Sequence, residues 1–184
     1  MARDETKLTF ILGAARAGKS SFALRLAKER AGEAGVCFIA TAQALDEDMT
    51  KRIACHRAER PAQWNTIEEP YQLDAALLRA RKSELVIVDC LTLFVSNWLL
   101  RFENEHQCEQ MLRNISEAFL ETVKTQRRNV ICVSNEVGLG VVPETRMGRT
   151  FRDLLGRVNQ QFAEAADEVY LLVAGLPLRL KPNH

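Results

Sequence analysis

An excess of charge of either sign is the first thing this chain lacks. Its 25 Lys and Arg stand against 24 Asp and Glu, for a formal net charge of +1. Without a basic or acidic surplus, bulk electrostatics offers no case for nucleic acid or an anionic membrane as partner. Long apolar runs are absent too. The longest, around Leu91–Leu100, is broken by Ser96 and Asn97 and falls short of a membrane span. The opening residues Met1–Lys7 are polar, which predicts no secretory leader. No C-x-x-C pair occurs among the five cysteines, Cys37, Cys55, Cys90, Cys108 and Cys132. An odd number of dispersed thiols predicts reduced cysteines in a cytoplasmic protein, not a disulfide framework or a zinc site. Repeats, low-complexity tracts and linkers are missing as well, so 1–184 reads as a single domain with one core.

What is present is a regular alternation of elements. Apolar runs at Leu8–Leu12, Val36–Ala40, Leu85–Asp89, Val130–Ser134 and Val169–Val173 read as buried strands. Between them lie helix-like runs at Ser20–Arg30, Asp46–Glu59 and Gln107–Arg127, and one marked by Phe151, Leu154, Leu155, Val158 and Phe162. Ala62–Tyr71, between Pro61 and Pro70, reads as loop. Leu178–Leu180 reads as a short edge strand returning after the turn at Gly175 and Pro177. The rhythm predicts a three-layer α/β/α fold with a mostly parallel sheet and an antiparallel C-terminal edge.

The first strand leads into Gly13-Ala14-Ala15-Arg16-Ala17-Gly18-Lys19-Ser20, which fits the phosphate-binding pattern G-x-x-x-x-G-K-[ST]. Strand, glycine-containing loop and helix follow in the order that turns successive backbone N–H groups toward one phosphate chain, at the favourable end of a helix dipole. Lys19 reaches the β- and γ-phosphates, and Ser20 supplies a hydroxyl for Mg²⁺. Asp89 ends a later strand, where a second metal-organising carboxylate belongs; capping the next helix is its plainer role. On the second helix-like run, Arg52, His56 and Arg60 recur every four residues as a basic stripe with Arg57 beside it, although Arg60, next to Pro61, is placed at the helix end. Such a stripe suits a phosphate. Its positive charge disfavours protonation of the imidazole, which leaves a nucleophile. His106 and His184 carry no comparable setting. Asn135-Glu136-Val137-Gly138-Leu139-Gly140 follows the fourth buried strand, where loops meet ligand or merely turn the chain. Gly156 inside a helix suggests close packing or a ligand nearby.

Taken together, these segments resemble the bifunctional adenosylcobinamide kinase/adenosylcobinamide-phosphate guanylyltransferase family of cobalamin synthesis. The matching pieces run in order: LGAARAGKS (12–20), FIATAQALDEDMTKRIACHRAERPAQWNTIEEP (38–70), VDCLTLFVSN (88–97), SNEVGLGVVPETRMGRTFRDLLGRVNQ (134–160) and AADEVYLLVAGLPLRLK (165–181). The combination of IAT, RIxxHRxxRP, TxEEP and NEVGxGxVP is far more specific than the phosphate loop alone. The resemblance implies two reactions on a phosphate-loop NTPase-like core. ATP or GTP phosphorylates the aminopropanol hydroxyl of adenosylcobinamide. GMP from GTP is then joined to adenosylcobinamide phosphate through a guanylyl-histidine. It implies His56 as that nucleophile and Lys19 as the other catalytic group. Nucleotide contacts are implied at Gly13, Ala14, Ala15, Arg16, Ala17, Gly18, Lys19, Ser20, Ala40, Thr41, Ala42, Arg57, Ala58, Glu59, Arg60, Glu68 and Asp89. Ser20 and Asp89 are the metal candidates, with guanine binding the open alternative for Glu68 and Asp89. A homotrimer is implied too. Ala14 and Ala17 stand where the family commonly has Gly and Ser, a harmless departure because backbone N–H groups make the cradle. Two rivals remain at this level. One is a small-molecule kinase in which His56 is a spectator. The other is a phosphate-loop regulatory module without catalysis, which the compact chain with no extra interaction segment disfavours.

Overall fold

A computed structural model of the chain describes residues 7–32 and 35–182. Residues 1–6 of the polar opening stretch and His184 lie outside the described residues. Seven strands form one sheet: β1 (Leu8–Gly13), β2 (Val36–Ala40), β3 (Asn65–Glu68), β4 (Leu85–Asp89), β5 (Asn129–Val133), β6 (Glu168–Val173) and β7 (Leu176–Lys181). Their order is β3-β2-β4-β5-β1-β6-β7. All neighbours are parallel except β6 and β7, which pair antiparallel as a hairpin.

Helix α1 (Lys19–Ala31) covers one face, packing Ala23 and Ala27 on Ile11, Phe38, Ile87 and Ile131. Helices α3 (Leu73–Arg79), α4 (Leu91–Leu99), α5 (Glu105–Thr125) and α6 (Arg146–Ala165) cover the other, around Phe10, Phe94, Phe119 and Phe162. Helix α2 (Glu47–Ala58) stands apart: none of its residues is buried. Asp46 caps it, its carboxylate accepting from Met49 N–H at 2.6 Å. The three-layer α/β/α arrangement follows from strands apolar on both faces, since a parallel sheet needs cover on each.

The segment read as loop at Ala62–Tyr71 contains β3, which pairs with β2 from Cys37↔Asn65 to Ala40↔Glu68. It is an edge strand with exposed Asn65, Thr66 and Glu68, so no apolar alternation marks it. Gly156 proves to need no special reason for being glycine. A Cβ there would meet nothing within 4 Å.

At the amino-terminal edge of the sheet, Glu168 at the start of β6 is only 6% exposed. It accepts from Arg30 Nη2 at 2.5 Å and Thr9 Oγ1 at 3.1 Å, with Lys7 Nζ 3.8 Å away. Burial raises its carboxyl, but the Arg30 hydrogen bond and charge, Thr9 and Lys7 outweigh it and hold the group below its ordinary value of 4.5. A carboxylate held low stabilises the fold above its unfolded pKa, and that contribution is lost as pH falls through the folded value. Glu168→Ala is therefore expected to cost about 2–3 kcal/mol at pH 7, as a charged hydrogen-bonding group is lost and Arg30 left unpaired. The gap to wild type should shrink as pH drops below about 4.5. Urea midpoints at both pH values check this; a gap that does not narrow would assign the loss to packing.

Candidate active site

The carboxyl edge of the sheet gathers the residues singled out in the sequence. Gly13 closes β1 with φ 155°, and a Cβ there would lie 2.6 Å from the Leu172 carbonyl. Gly18, at φ 89°, caps α1 in the left-handed region that other residues adopt only with strain. The loop between them is held by Ala17 N–H on the Ala14 carbonyl at 3.2 Å, and by Gly175 N–H of the β6–β7 turn on the Ala17 carbonyl at 3.1 Å. Among the described residues, no acceptor receives the N–H of Ala15, Arg16, Gly18, Lys19 or Ser20. Five amides, at a loop and helix start, form a ready anion cradle.

Lys19 is buried, and its Nζ donates to the Ala14 carbonyl at 2.6 Å. Burial lowers its pKa, an effect offset in part by Cys90 and Asp89. Ser20 Oγ donates to Asp89 Oδ2 at 3.1 Å. Burial raises the Asp89 carboxyl, against the Ser20 hydrogen bond and the nearby His56, Arg60 and Lys19. A buried carboxylate in that condition gains from an arriving cation, so Ser20 and Asp89 are a fitting pair of hard oxygen donors for Mg²⁺, which needs few protein ligands beside phosphate oxygens.

Register places the next set. Ala40 on β2 pairs with Asp89 on one side and Glu68 on the other, so Glu68, Ala40 and Asp89 stand level along the edge. Thr41 N–H donates to the Asp89 carbonyl at 3.2 Å, and Thr41 Oγ1 to the Cys90 carbonyl at 2.8 Å, with Ala42 next in the loop. Helix α2 ends over this row. Arg57 pairs with Glu68. Arg60 lies past the helix end, its guanidinium 3.6 Å from the centre of the Phe38 ring. Its Nε is buried with no partner among the described residues. His56, Glu59 and Arg60 then border one small cleft with Ser20, Phe38 and Asp89.

The basic stripe is thus only partly realised. Glu59 Oε2 stands 3.5 Å from His56 Nδ1, and Arg57 turns to Glu68, so the imidazole faces a carboxylate as well as arginine. Ala58 lies exposed on α2, away from the cleft lining. Ala15 and Arg16 are exposed at the loop tip. Phe38 was legible only as a strand residue, yet it is the platform that places Arg60. The largest groove, about 1300 Å³, opens at the opposite edge of the sheet beside Lys7, Lys124, Asp167 and Arg179, none of which belongs to this site.

Comparison with known proteins decides the family. Residues 9–180 match CobU, described as cobinamide kinase / cobinamide phosphate guanyltransferase. The chain belongs to this family. It is 47% identical over 174 residues to the bifunctional adenosylcobalamin biosynthesis protein CobP of Pseudomonas aeruginosa, covering 93% of this chain and 95% of the relative. It is 38% identical to the corresponding protein CobU of Escherichia coli K12, covering 95% and 99%. The fold of this member of the cobinamide kinase / guanyltransferase family is shared with phosphate-loop ATPases. The flagellar accessory protein FlaH from Methanocaldococcus jannaschii aligns at 15% identity with a TM-score of 0.57, over 98% of this chain and 80% of that one. A helicase ATPase domain aligns at 17% identity with a TM-score of 0.52, over 90% and 69%.

Proposed function

We propose that this chain carries both activities of its family on one phosphate loop, with His56 as the residue that is guanylylated. The observation that carries the reading is the single cleft shared by His56, Arg60, Ser20 and Asp89. A histidine there is brought to the end of the loop that holds a triphosphate. Glu59 beside Nδ1 favours the tautomer with the proton on that nitrogen, which leaves the Nε2 lone pair for attack.

In the kinase half, the acceptor alcohol of adenosylcobinamide displaces a nucleoside diphosphate from the γ-phosphorus of ATP or GTP. The loop amides and Lys19 hold the β- and γ-phosphates through the transfer. In the transferase half, His56 Nε2 bonds to the α-phosphorus of GTP as the bond to the bridging oxygen breaks and pyrophosphate leaves. A phosphate oxygen of adenosylcobinamide phosphate then attacks the same phosphorus and releases the imidazole. Arg60, fixed on Phe38, offers its free Nε toward the phosphates, and Arg57, Glu68 and the Ala40–Ala42 turn frame the nucleotide. Mg²⁺, held by Ser20 and Asp89, supplies charge neutralisation along the phosphate chain.

Adenosylcobinamide incubated with the protein and ATP is expected to gain one phosphate by mass spectrometry, and with GTP added to become the GDP-linked product. An acceptor unchanged under both conditions would overturn the reading. The same preparation is proposed to be a homotrimer, since Val173, Leu176, Leu178 and Leu180 are exposed along the β6–β7 edge hairpin. Light scattering should give three times the chain mass; a fully active monomer would refute it. No described helix is long and apolar enough to cross a membrane. All five cysteines are free, in keeping with the cytoplasm proposed here.

A further inference from the structure

Strand β5 lies between β1, which carries the phosphate loop, and β4, which carries Asp89. The residues leaving its carboxyl end therefore emerge between the loop and the carboxylate. Their backbone is fixed at three points. Asn135 N–H donates to Thr92 Oγ1 at 2.8 Å, and the Asn135 carbonyl accepts from Asn159 Nδ2 at 3.0 Å. Glu136 N–H donates to the Gly13 carbonyl at 3.0 Å, tying the segment to the phosphate loop itself. The other end of the Asn159 amide accepts from Ser134 Oγ at 2.7 Å. Asn159, on α6, and Ser134 are 5% and 0% exposed.

Two buried polar side chains are costly in a core unless they are satisfied, and here they satisfy each other and one irregular backbone segment. The Asn135 side chain is different. It is half-buried and makes no hydrogen bond to any described residue. Alternation along the strand gives its direction. Val133 packs in the cluster under α1, and Ser134 faces α6, so Asn135 turns back to the α1 side. Ile87 belongs to that same cluster, which puts Asp89, two residues on, on the same side as well. The phosphate loop, opening α1, shares it. A free carboxamide is thereby aimed at the space between Asp89 and the loop.

We propose that Asn135 is a substrate-contacting residue of the phosphoryl-transfer half, its amide donating to the terminal phosphate, and that Asn159 is the positioning residue that holds it there. The inference rests on the kinase half of the proposed function. As the acceptor oxygen bonds to the γ-phosphorus, the bond to the β,γ-bridging oxygen breaks. Its electron pair leaves with the nucleoside diphosphate, and the alcohol proton passes to solvent. Charge on the equatorial oxygens is what the Asn135 amide meets.

Kinetics of both halves test this. Asn135→Ala is expected to lower kcat for phosphorylation about a hundredfold, with KM for the triphosphate within about threefold, as for loss of a donor felt in the transition state. Asn135→Asp, the closer match in shape, should be worse than alanine because its charge opposes the phosphate. Labelling of His56 by GTP, where bond breaking is at the α-phosphorus, should stay within about threefold for both. Asn159→Asp keeps the acceptor for Ser134 but not the donor to Asn135. It should lower kcat alone, and combined with Asn135→Ala should add nothing further. Asn135→Ala with kcat within about threefold of wild type, Asn135→Asp better than alanine, or equal losses in both halves would each overturn the proposal. An Asn159→Asp protein that does not fold leaves the Asn135 pair to decide. Wild type unable to phosphorylate adenosylcobinamide would instead sink the kinase reading, and this inference with it.

Discussion

His56→Asn protein is expected to take up no label from α-labelled GTP and to fail in guanylyl transfer, while still phosphorylating adenosylcobinamide. Wild type should carry α-label but no γ-label, and the linkage should be labile to acid and stable to alkali, as a phosphoramidate is and a serine ester is not. The separation of activities follows from where His56 sits. It is an exposed residue of α2, a helix that buries nothing, and it touches the phosphate-loop machinery only across the cleft. Removing it leaves Lys19, Ser20 and Asp89 in their own hydrogen bonds, so the kinase half should hold within about threefold. The transfer half loses its nucleophile, and with it at least about a thousandfold in rate, since covalent relay through the imidazole is the route proposed. Acid-labile GMP on the mutant would place the nucleophile elsewhere. A wild type that never takes label yet phosphorylates the alcohol would make His56 a spectator in a simple kinase.

The parts of this molecule that sequence makes legible are those set by local chemistry. The phosphate loop is one: glycines at Gly13 and Gly18 are demanded by backbone geometry, and Lys19 and Ser20 follow at fixed offsets. Strands buried on both faces announce themselves as continuous apolar runs, as Leu85–Asp89 does. Edge strand β3 does not, because only Ile67 of its four residues is even half-buried. Helix α4 escapes for the opposite reason. It is apolar nearly all round, packed between the sheet and its neighbours, so no helical period stands out in Leu91–Leu99. The cleft itself is tertiary. Spacing along α2 suggested a basic stripe, but the identity of its neighbours depends on Arg60 stacking on Phe38 and Arg57 reaching Glu68, contacts across elements that no local pattern encodes. The Asn159–Ser134 pair is of the same kind. Each residue alone reads as a polar side chain near an element end, and only the fold joins them.

Lys19→Ala is expected to abolish both activities, each by about a hundredfold or more. The lysine is buried at the start of α1, and burial holds its pKa below the ordinary value, so its charge is poorly solvated and the Ala14 carbonyl is a neutral partner. A triphosphate seated on the five open amides would bring anionic oxygens to that ammonium, a stronger partner than a carbonyl. The contact strengthens as charge builds on the oxygens that depart. In the kinase half these belong to the nucleoside diphosphate, and in the transferase half to pyrophosphate. One lysine therefore serves two displacements, and losing it costs about 3 kcal/mol or more in each, roughly a hundredfold or greater in rate. The fold should survive, since the deleted group gives up one hydrogen bond to a loop carbonyl, and the alanine is a good helix former at the head of α1. Thermal melting within a few degrees of wild type would show that. Lys19→Arg is expected to fail almost as badly: the charge is kept, but a planar fork replaces a compact ammonium in a buried position shaped for the latter. The assays are the rate of adenosylcobinamide phosphorylation and the rate of GMP transfer from GTP, each measured on folded protein. A Lys19→Ala enzyme within about threefold of wild type in either would remove this lysine as the shared phosphate clamp, and with it the reading that one loop serves both reactions.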